Sequence, residues 1–341
     1  MNKCDNCGGE IIFTPEEKGN KCNNCGSVFS VEFNNNFIKK ALEDSNKSPA
    51  TLMTETKNLQ CKSCGANMIL NKLQTQISCP YCGNTTIVQG RNNKILTIDS
   101  VVPFKFSKEE ALKMFKKALA SKFFVKKGVF HGINLNNITG IYVNAFVFDM
   151  ATHATYSGVF SYTESVRKKD GTTELVTEYK RVHGQYQNNF NNVTVEANSH
   201  IDQSDLHEIM PFNYAEAVEF KEDFMNGYML EYEDSMFADC VKKAEHLIRT
   251  KIEKDLLKQY NCERIVNLDL KIDYLDRKYN YCLLPFYLVT NKHRDKQYTS
   301  LINGQTGKIG KLPANAGKII LTILLILGIV AGFIFLAFSG F

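Results

Sequence analysis

The sequence lacks an apolar stretch at its N-terminus: MNKCDNCGGE contains nothing like the hydrophobic region of an export signal. The cysteines are therefore expected to face a reducing compartment, where paired C-x-x-C units indicate metal or redox chemistry rather than disulfides. At the other end, charge is missing. Residues 319–341 (IILTILLILGIVAGFIFLAFSGF) hold 23 positions without a charged side chain, which excludes a freely soluble protein. Two signatures of catalysis are also incomplete. Gly304-Gln305-Thr306-Gly307-Lys308 has two residues between its glycines where a P-loop needs four, and Ile309 follows the lysine where Ser or Thr is required, so it reads as a hairpin turn. His207-Glu208 runs into Ile209, Met210 and Pro211 instead of a second histidine, and reads as a loop. With no catalytic constellation in view, the expectation is a protein without enzymatic activity.

Eleven cysteines are present, and eight of them form a repeat. Cys4-x-x-Cys7 and Cys22-x-x-Cys25 are followed by Cys61-x-x-Cys64 and Cys79-x-x-Cys82, with 14 residues between the pairs in both copies. A glycine follows the second cysteine of each pair, at Gly8, Gly26, Gly65 and Gly83, where a knuckle must turn its amides toward the sulfurs. Two C-x-x-C knuckles supply four thiolates and leave no open coordination position, so the sites are expected to hold two structural zinc ions rather than catalytic ones. Such an ion contributes roughly 10–16 kcal/mol to folding, which a module this poor in apolar residues needs. Cys240, Cys262 and Cys282 have no metal-like spacing and are expected to be buried as apolar groups.

The formal charge of +5 is misleading, because each Cys4 zinc site carries a net −2 and the pair brings the total to about +1. Residues 1–33 hold Lys3, Lys18 and Lys21 against Asp5, Glu10, Glu16, Glu17 and Glu32, a surface that repels phosphate. Residues 59–91 carry Lys62, Lys72 and Arg91 and no acid, a thin basic surface. Protein contact is the favoured role of the ribbons and nucleic acid the disfavoured one.

The organisation expected is ribbon 1 over 1–33, a linker over 34–58 with an apolar patch at Phe37, Ile38 and Leu42, ribbon 2 over 59–91, an antiparallel α+β domain over 98–313 and a transmembrane helix over 319–341. In the domain, Ser107 and Glu110 form a capping box ahead of a helix with the stripe Leu112, Phe115, Leu119 and Phe123. Aromatic and β-branched residues mark strands over 141–162 and 172–186, joined at Asp170-Gly171. A helix is expected from Asn213, with Glu216 three positions on, and a longer one through Phe237, Val241, Ala244, Ile248 and Ile252. Strands return with the alternation Val266, Leu268, Leu270, Ile272, Tyr274, with YCLLPFYLVT, and with QYTSLIN beyond a hairpin turn. VVPFKFSKEEALKMF (101–115) and IMPFNYAEAVEFKEDF (209–224), with YVNAFVFD from Tyr142 and CLLPFYLV from Cys282, fit an internal duplication, although chance likeness of two helix starts and two strands fits as well.

The terminal segment would extend about 34 Å as a helix, against a hydrocarbon core of roughly 30 Å. Lys308, Lys311 and Lys318 precede it and no basic residue follows, so residues 1–318 are expected on the cytoplasmic side of a single-pass, tail-anchored protein of the cell membrane. Gly328 and Gly332 give a G-x-x-x-G spacing that suits a helix–helix contact, and equally a chance pair of glycines.

Two ribbons, VPFKFSKEEAL, YVNAFVFD, MPF, LLPFYLVT, INGQTGKIGKLP and a terminal span, in that order, resemble the bacterial membrane-anchored double zinc-ribbon proteins often labelled primosomal or replication-restart helicase-like. Those proteins usually carry proline in both aromatic strands, whereas here Ala145 stands where the first would fall. The resemblance implies association with SPFH-domain (virion-core-like) or phage-shock-type membrane stress proteins. The function expected is thus a membrane-anchored adaptor that recruits or scaffolds such partners, and the alternative is a membrane-tethered nucleic-acid or replication accessory.

Overall fold

The computed structural model describes residues 3–35, 37–43, 57–70, 76–79, 81, 85–87, 98–169, 171–197, 201–231, 236–294 and 296–338. Three short antiparallel strands, β1 (Ile11–Thr14), β2 (Gly19–Cys22) and β3 (Val28–Ser30), form the first ribbon. The second has two hairpins, β4 (Lys57–Gln60) with β5 (Asn67–Leu70) and β6 (Gln76–Ser78) with β7 (Thr85–Ile87).

The rest is an α+β domain built on unusually long strands. β8 (Ile138–Arg167) folds back on β9 (Thr173–Glu196), then a short β10 (Met229–Glu231) precedes β11 (Arg264–His293), which folds back on β12 (Lys296–Asn303). The runs read from the sequence as separate strands around Leu270 and Leu284 are one continuous strand. At about 3.3 Å per residue, a thirty-residue strand reaches far beyond an ordinary domain core. β8 and β11 pair antiparallel along most of their length, from Ile138 opposite Val289 to Ser161 opposite Arg264. Asp170 of the expected turn lies outside the described residues; Gly171 beside it has φ 85°, as a tight hairpin connection requires.

Period-2 alternation divides the core between the two faces of this sheet. Tyr142, Phe146 and Phe148 of β8 face one cluster with Leu283 and Tyr287 of β11, covered by α1 (Lys108–Ser121). Ile141, Val143, Ala145 and Val147 face the other, with Cys282, Leu284 and Phe286, covered by α2 (Gln203–Ile209) and Tyr214. The Ser107 hydroxyl accepts from the Glu110 amide at 3.4 Å and starts α1 at the expected residue. α1 buries Ala111, Phe115 and Leu119, but it ends at Ser121 and leaves Phe123 out in solvent.

α3 (Phe237–Gln259) buries Cys240, Ala244, Ile248, Ile252 and Leu256, one stripe at helical spacing. It lies along the projecting β8–β9–β11 arm, where the Tyr156 and Tyr260 hydroxyls are 2.9 Å apart and Tyr186 donates to Asp255 at 2.9 Å. No α-helix starts at Asn213. Its side chain accepts from the Ala215 amide, but the turn over Tyr214–Glu216 stops at once in the short strand Val218–Glu219. The cap was legible, but the tertiary pairing of Val218 with Val101 takes the following residues into the sheet. His207-Glu208, read as a loop, lies on α2, which ends before Pro211.

The domain has a repeated layout. Ser100–Val101 leads through α1 into β8 and its return strand β9, and β10 leads through α3 into β11 and its return strand β12. Ser100–Val101 pairs parallel with Cys282–Leu283 of β11, while Met229–Leu230 of β10 pairs parallel with Ile141–Tyr142 of β8. Between the long strands Tyr142 faces Pro285 and Ala145 faces Cys282, so the two stretches matched in the sequence sit antiparallel across an approximate dyad. The sheet is therefore mixed rather than purely antiparallel. The counterpart of the first helix is α3, not the 209–224 segment.

Candidate metal centres and their docking

Three of the four knuckles are described, and they share one local geometry. Gly8, Gly26 and Gly65 have φ of 70°, 75° and 81°, and each donates its amide to the carbonyl of the first cysteine of its pair, at 2.7, 3.0 and 2.8 Å. A side chain is strained in that region, which is why glycine recurs there. Gly9 is a further requirement that spacing alone did not reveal: a Cβ there would lie 3.2 Å from Cys22 Sγ and 3.3 Å from Cys7 Sγ.

The knuckles bring Cys4, Cys7, Cys22 and Cys25 into one cluster, and Cys61, Cys64 and Cys79 into another, with the sulfurs of each within 4.8 Å of one another. Cys82, the expected fourth ligand of the second site, lies outside the described residues, as does Gly83. Sulfur separations of 3.6 Å (Cys4–Cys25), 3.5 Å (Cys7–Cys22) and 3.6 Å (Cys64–Cys79) are far too long for disulfides. They match the edge of a tetrahedron whose arms are metal–sulfur bonds of about 2.3 Å, which is about 3.8 Å. The clusters are suited to metal ions. In each pair of ribbon 1 the first cysteine is buried and the second exposed. Burial pushes the Cys4 thiol up to about 11, whereas the Ser27 hydroxyl, 3.2 Å away, and the Ser27 amide hold Cys25 down to about 6.

Both ribbons are anchored to the domain, which the sequence did not predict. In ribbon 1, Phe13 packs edge-on to Phe224 at 5.2 Å, Phe33 meets the same ring at 5.3 Å, and the Phe13 amide donates to Asn226 O at 2.8 Å. Ile12 fills the space above Gly227, where a Cβ would come within 1.6 Å of Ile12 Cγ2. The start of the expected linker is also laid on the domain: Phe37 stacks on Tyr214 at 5.2 Å, and Lys40–Ala41 pair with Lys278–Tyr279. The apolar patch at Phe37 and Leu42 marks this docked stretch. Ribbon 2 extends the main sheet, with β5 antiparallel to β10 and Leu230 opposite Ile69. Gln297 Nε2 also donates to Tyr81 O.

The other candidates separate from these centres. Cys240 and Cys282 are fully buried and Cys262 is partly buried; burial pushes Cys282 up to about 12. The Gly304–Lys308 segment is a turn closed on its own chain: Gln305 Nε2 donates to Asn213 O and Glu216 Oε2, and Lys308 Nζ donates to Met210 O. A Cβ on Gly304 would meet Phe104 at 2.5 Å, so this glycine serves packing.

The last element is α4 (Ala316–Phe338), whose Ala316–Ile334 stretch is long and apolar enough to cross a membrane and contains no buried residue. Gly328 and Gly332 both open onto free space.

The chain is similar to the uncharacterized protein YdjG of Bacillus subtilis (strain 168), with 26% identity over 322 residues that cover 93% of this chain and 91% of that protein. No protein-family description matches the chain, and no solved structure matches it.

Proposed function

We propose that this protein is a single-pass, membrane-anchored zinc-ribbon adaptor of the cell membrane, without enzymatic activity, that recruits or scaffolds SPFH-type or phage-shock-type partners from the cytoplasmic side. The observation that carries the reading is α4: an apolar helix of membrane-spanning length with no buried residue, in a chain that also carries two clusters of cysteine sulfurs ahead of its α+β domain. Four soft thiolates in a tetrahedral set favour zinc and leave no position for a substrate. Lys308 and Lys311 ahead of α4 and Lys318 in its first turn support the cytoplasmic placement.

Tethering raises the effective concentration of every surface on the molecule, so modest contacts recruit efficiently. The surfaces available are the exposed knuckles at Cys7, Cys25 and Cys64, and the arm end, where Leu175 and Tyr179 are exposed apolar groups. Because both ribbons are fixed to the domain, they act as faces of one platform rather than as free reaching modules.

The test is crosslinking in intact membranes, followed by purification of the full chain and mass spectrometry, with Cys61→Ser as control. Enrichment of SPFH-type or stress-response membrane proteins that is lost in Cys61→Ser supports the adaptor. Enrichment of replication or transcription proteins instead overturns it.

A further inference from the structure

Phe123 and Phe124 are both exposed, at 64% and 44%, and their rings meet edge to face at 5.2 Å. They lie just past the end of α1, and the chain after them is stitched to the residues that lead into α4. Val125 bridges to Ala314, the Lys126 amide donates to Pro313 O at 2.8 Å, and the Asn315 amide donates to Phe124 O at 2.6 Å. Asn315 Oδ1 in turn accepts from the Lys318 amide at 3.2 Å, in the first turn of α4. Lys318 Nζ sits 4.6 Å from the centre of the Phe123 ring. The two phenylalanines are therefore held at the level of Lys318, the last charge before the apolar run.

Charge in this region has one sign. Lys113, Lys116, Lys117, Lys122, Lys126 and Lys127 are exposed, and among the described residues none forms an ion pair. The acids of α1, Glu109 and Glu110, lie at its opposite end, about 20 Å away along the helix. An apolar tip set in a lysine field beside the entry of a membrane helix has the chemistry of an interfacial membrane contact. Aromatic rings enter the headgroup boundary, and ammonium groups lie against anionic headgroups.

We propose that the 122–127 loop and the C-terminal half of α1 form a second membrane contact, which docks on anionic lipid headgroups of the bilayer that α4 crosses and fixes the domain's orientation to it. The proposal rests on the membrane reading of α4. That helix alone would leave the domain free to swivel about its axis; a basic, aromatic-tipped loop at its base removes that freedom. Each lysine near an anionic surface contributes about fivefold to association, so loss of three weakens docking by about two orders of magnitude.

The chain contains no tryptophan, so Phe123→Trp introduces a single reporter. The full-length protein is reconstituted into vesicles of phosphatidylcholine, or of phosphatidylcholine and phosphatidylglycerol in equal parts, with brominated acyl chains. Leu175→Trp at the far end of the arm serves as the reference. The expected result is strong quenching of the Phe123→Trp indole in the anionic vesicles, weak quenching in the neutral ones and none for Leu175→Trp. Adding Lys116→Gln, Lys117→Gln and Lys122→Gln, all exposed, should abolish the anionic effect. Retention in the bilayer after carbonate washing with Phe123→Trp unquenched in both vesicles overturns this contact and leaves the anchoring intact. Equal quenching in both vesicles that the lysine changes do not alter overturns the headgroup assignment. Release by carbonate overturns the anchoring and the contact together.

Discussion

The ribbons and the domain they sit on solve the same problem by different means. Ribbon 1 has a core of Cys4, Ile11 and Cys22 with Phe29 against it, too little apolar surface to offset the entropy of ordering its chain. The domain covers both faces of its sheet with large side chains, among them the fully buried Tyr142, Phe146, Phe148 and Phe286. On the proposed zinc reading, one module depends on a coordination shell and the other on burial. A perturbation of either kind should therefore separate them.

Metal removal should give the largest separation. Stripping with a strong chelator is expected to cost the ribbons on the order of 10 kcal/mol and to unfold them while the sheet persists. Hydrogen exchange followed by mass spectrometry would show protection lost around Cys4–Cys25 and Cys61–Cys79 and retained in β8 and β11. Loss across both regions would break the comparison. In the reverse direction, Phe148→Ala should cost the domain about 3–5 kcal/mol through the cavity it leaves, read as a lower denaturation midpoint, with metal content unchanged.

Smaller effects sharpen the boundary between the modules. Gly227→Ala places a methyl group into Ile12 and should loosen the docking of ribbon 1 by about 1–3 kcal/mol. Faster proteolysis between the ribbon and the domain, with metal still bound, is the expected readout. The smallest effect is in pH. Glu196 is 3% exposed and paired with Lys243 at 3.2 Å, and burial raises its carboxyl above the ordinary range. The folded state thus holds this proton to a higher pH than the unfolded chain does. Its contribution to stability is complete below the unfolded value and is lost as pH rises through the folded one. Glu196→Gln should therefore flatten the fall in domain stability as pH rises out of the acid range; an unchanged slope would exclude Glu196 as its source.

What the sequence made legible is local. The cysteine spacing, the glycines of the knuckles, the Ser107 cap and the charge-free terminal run are all signals within one stretch of chain, and among the described residues seven cysteines cluster, three knuckle glycines have positive φ, Ser107 caps α1 and the terminal run is helical. What it hid depends on distant partners. Asn213 begins a cap that leads nowhere because Val218 is claimed by Val101, and Phe123 leaves the α1 stripe because the chain must turn toward Ala314. Ribbon docking was invisible because Gly227 and Phe224, which receive Ile12 and Phe13, lie some 200 positions away. The duplication was visible in its strands but misplaced in its helix, since α3 shares position with α1 and not wording.

The pairing of β8 with β11 also fixes an order of events during synthesis. Ile138 waits for Val289, and Ser161 for Arg264, so the central pair has no partner until most of the chain exists. Only residues 304–315 separate the end of β12 from the start of α4. The sheet is thus completed at nearly the moment α4 leaves the ribosome, and β8 and β9 must persist until then as a hairpin whose β8 edge lacks its partner.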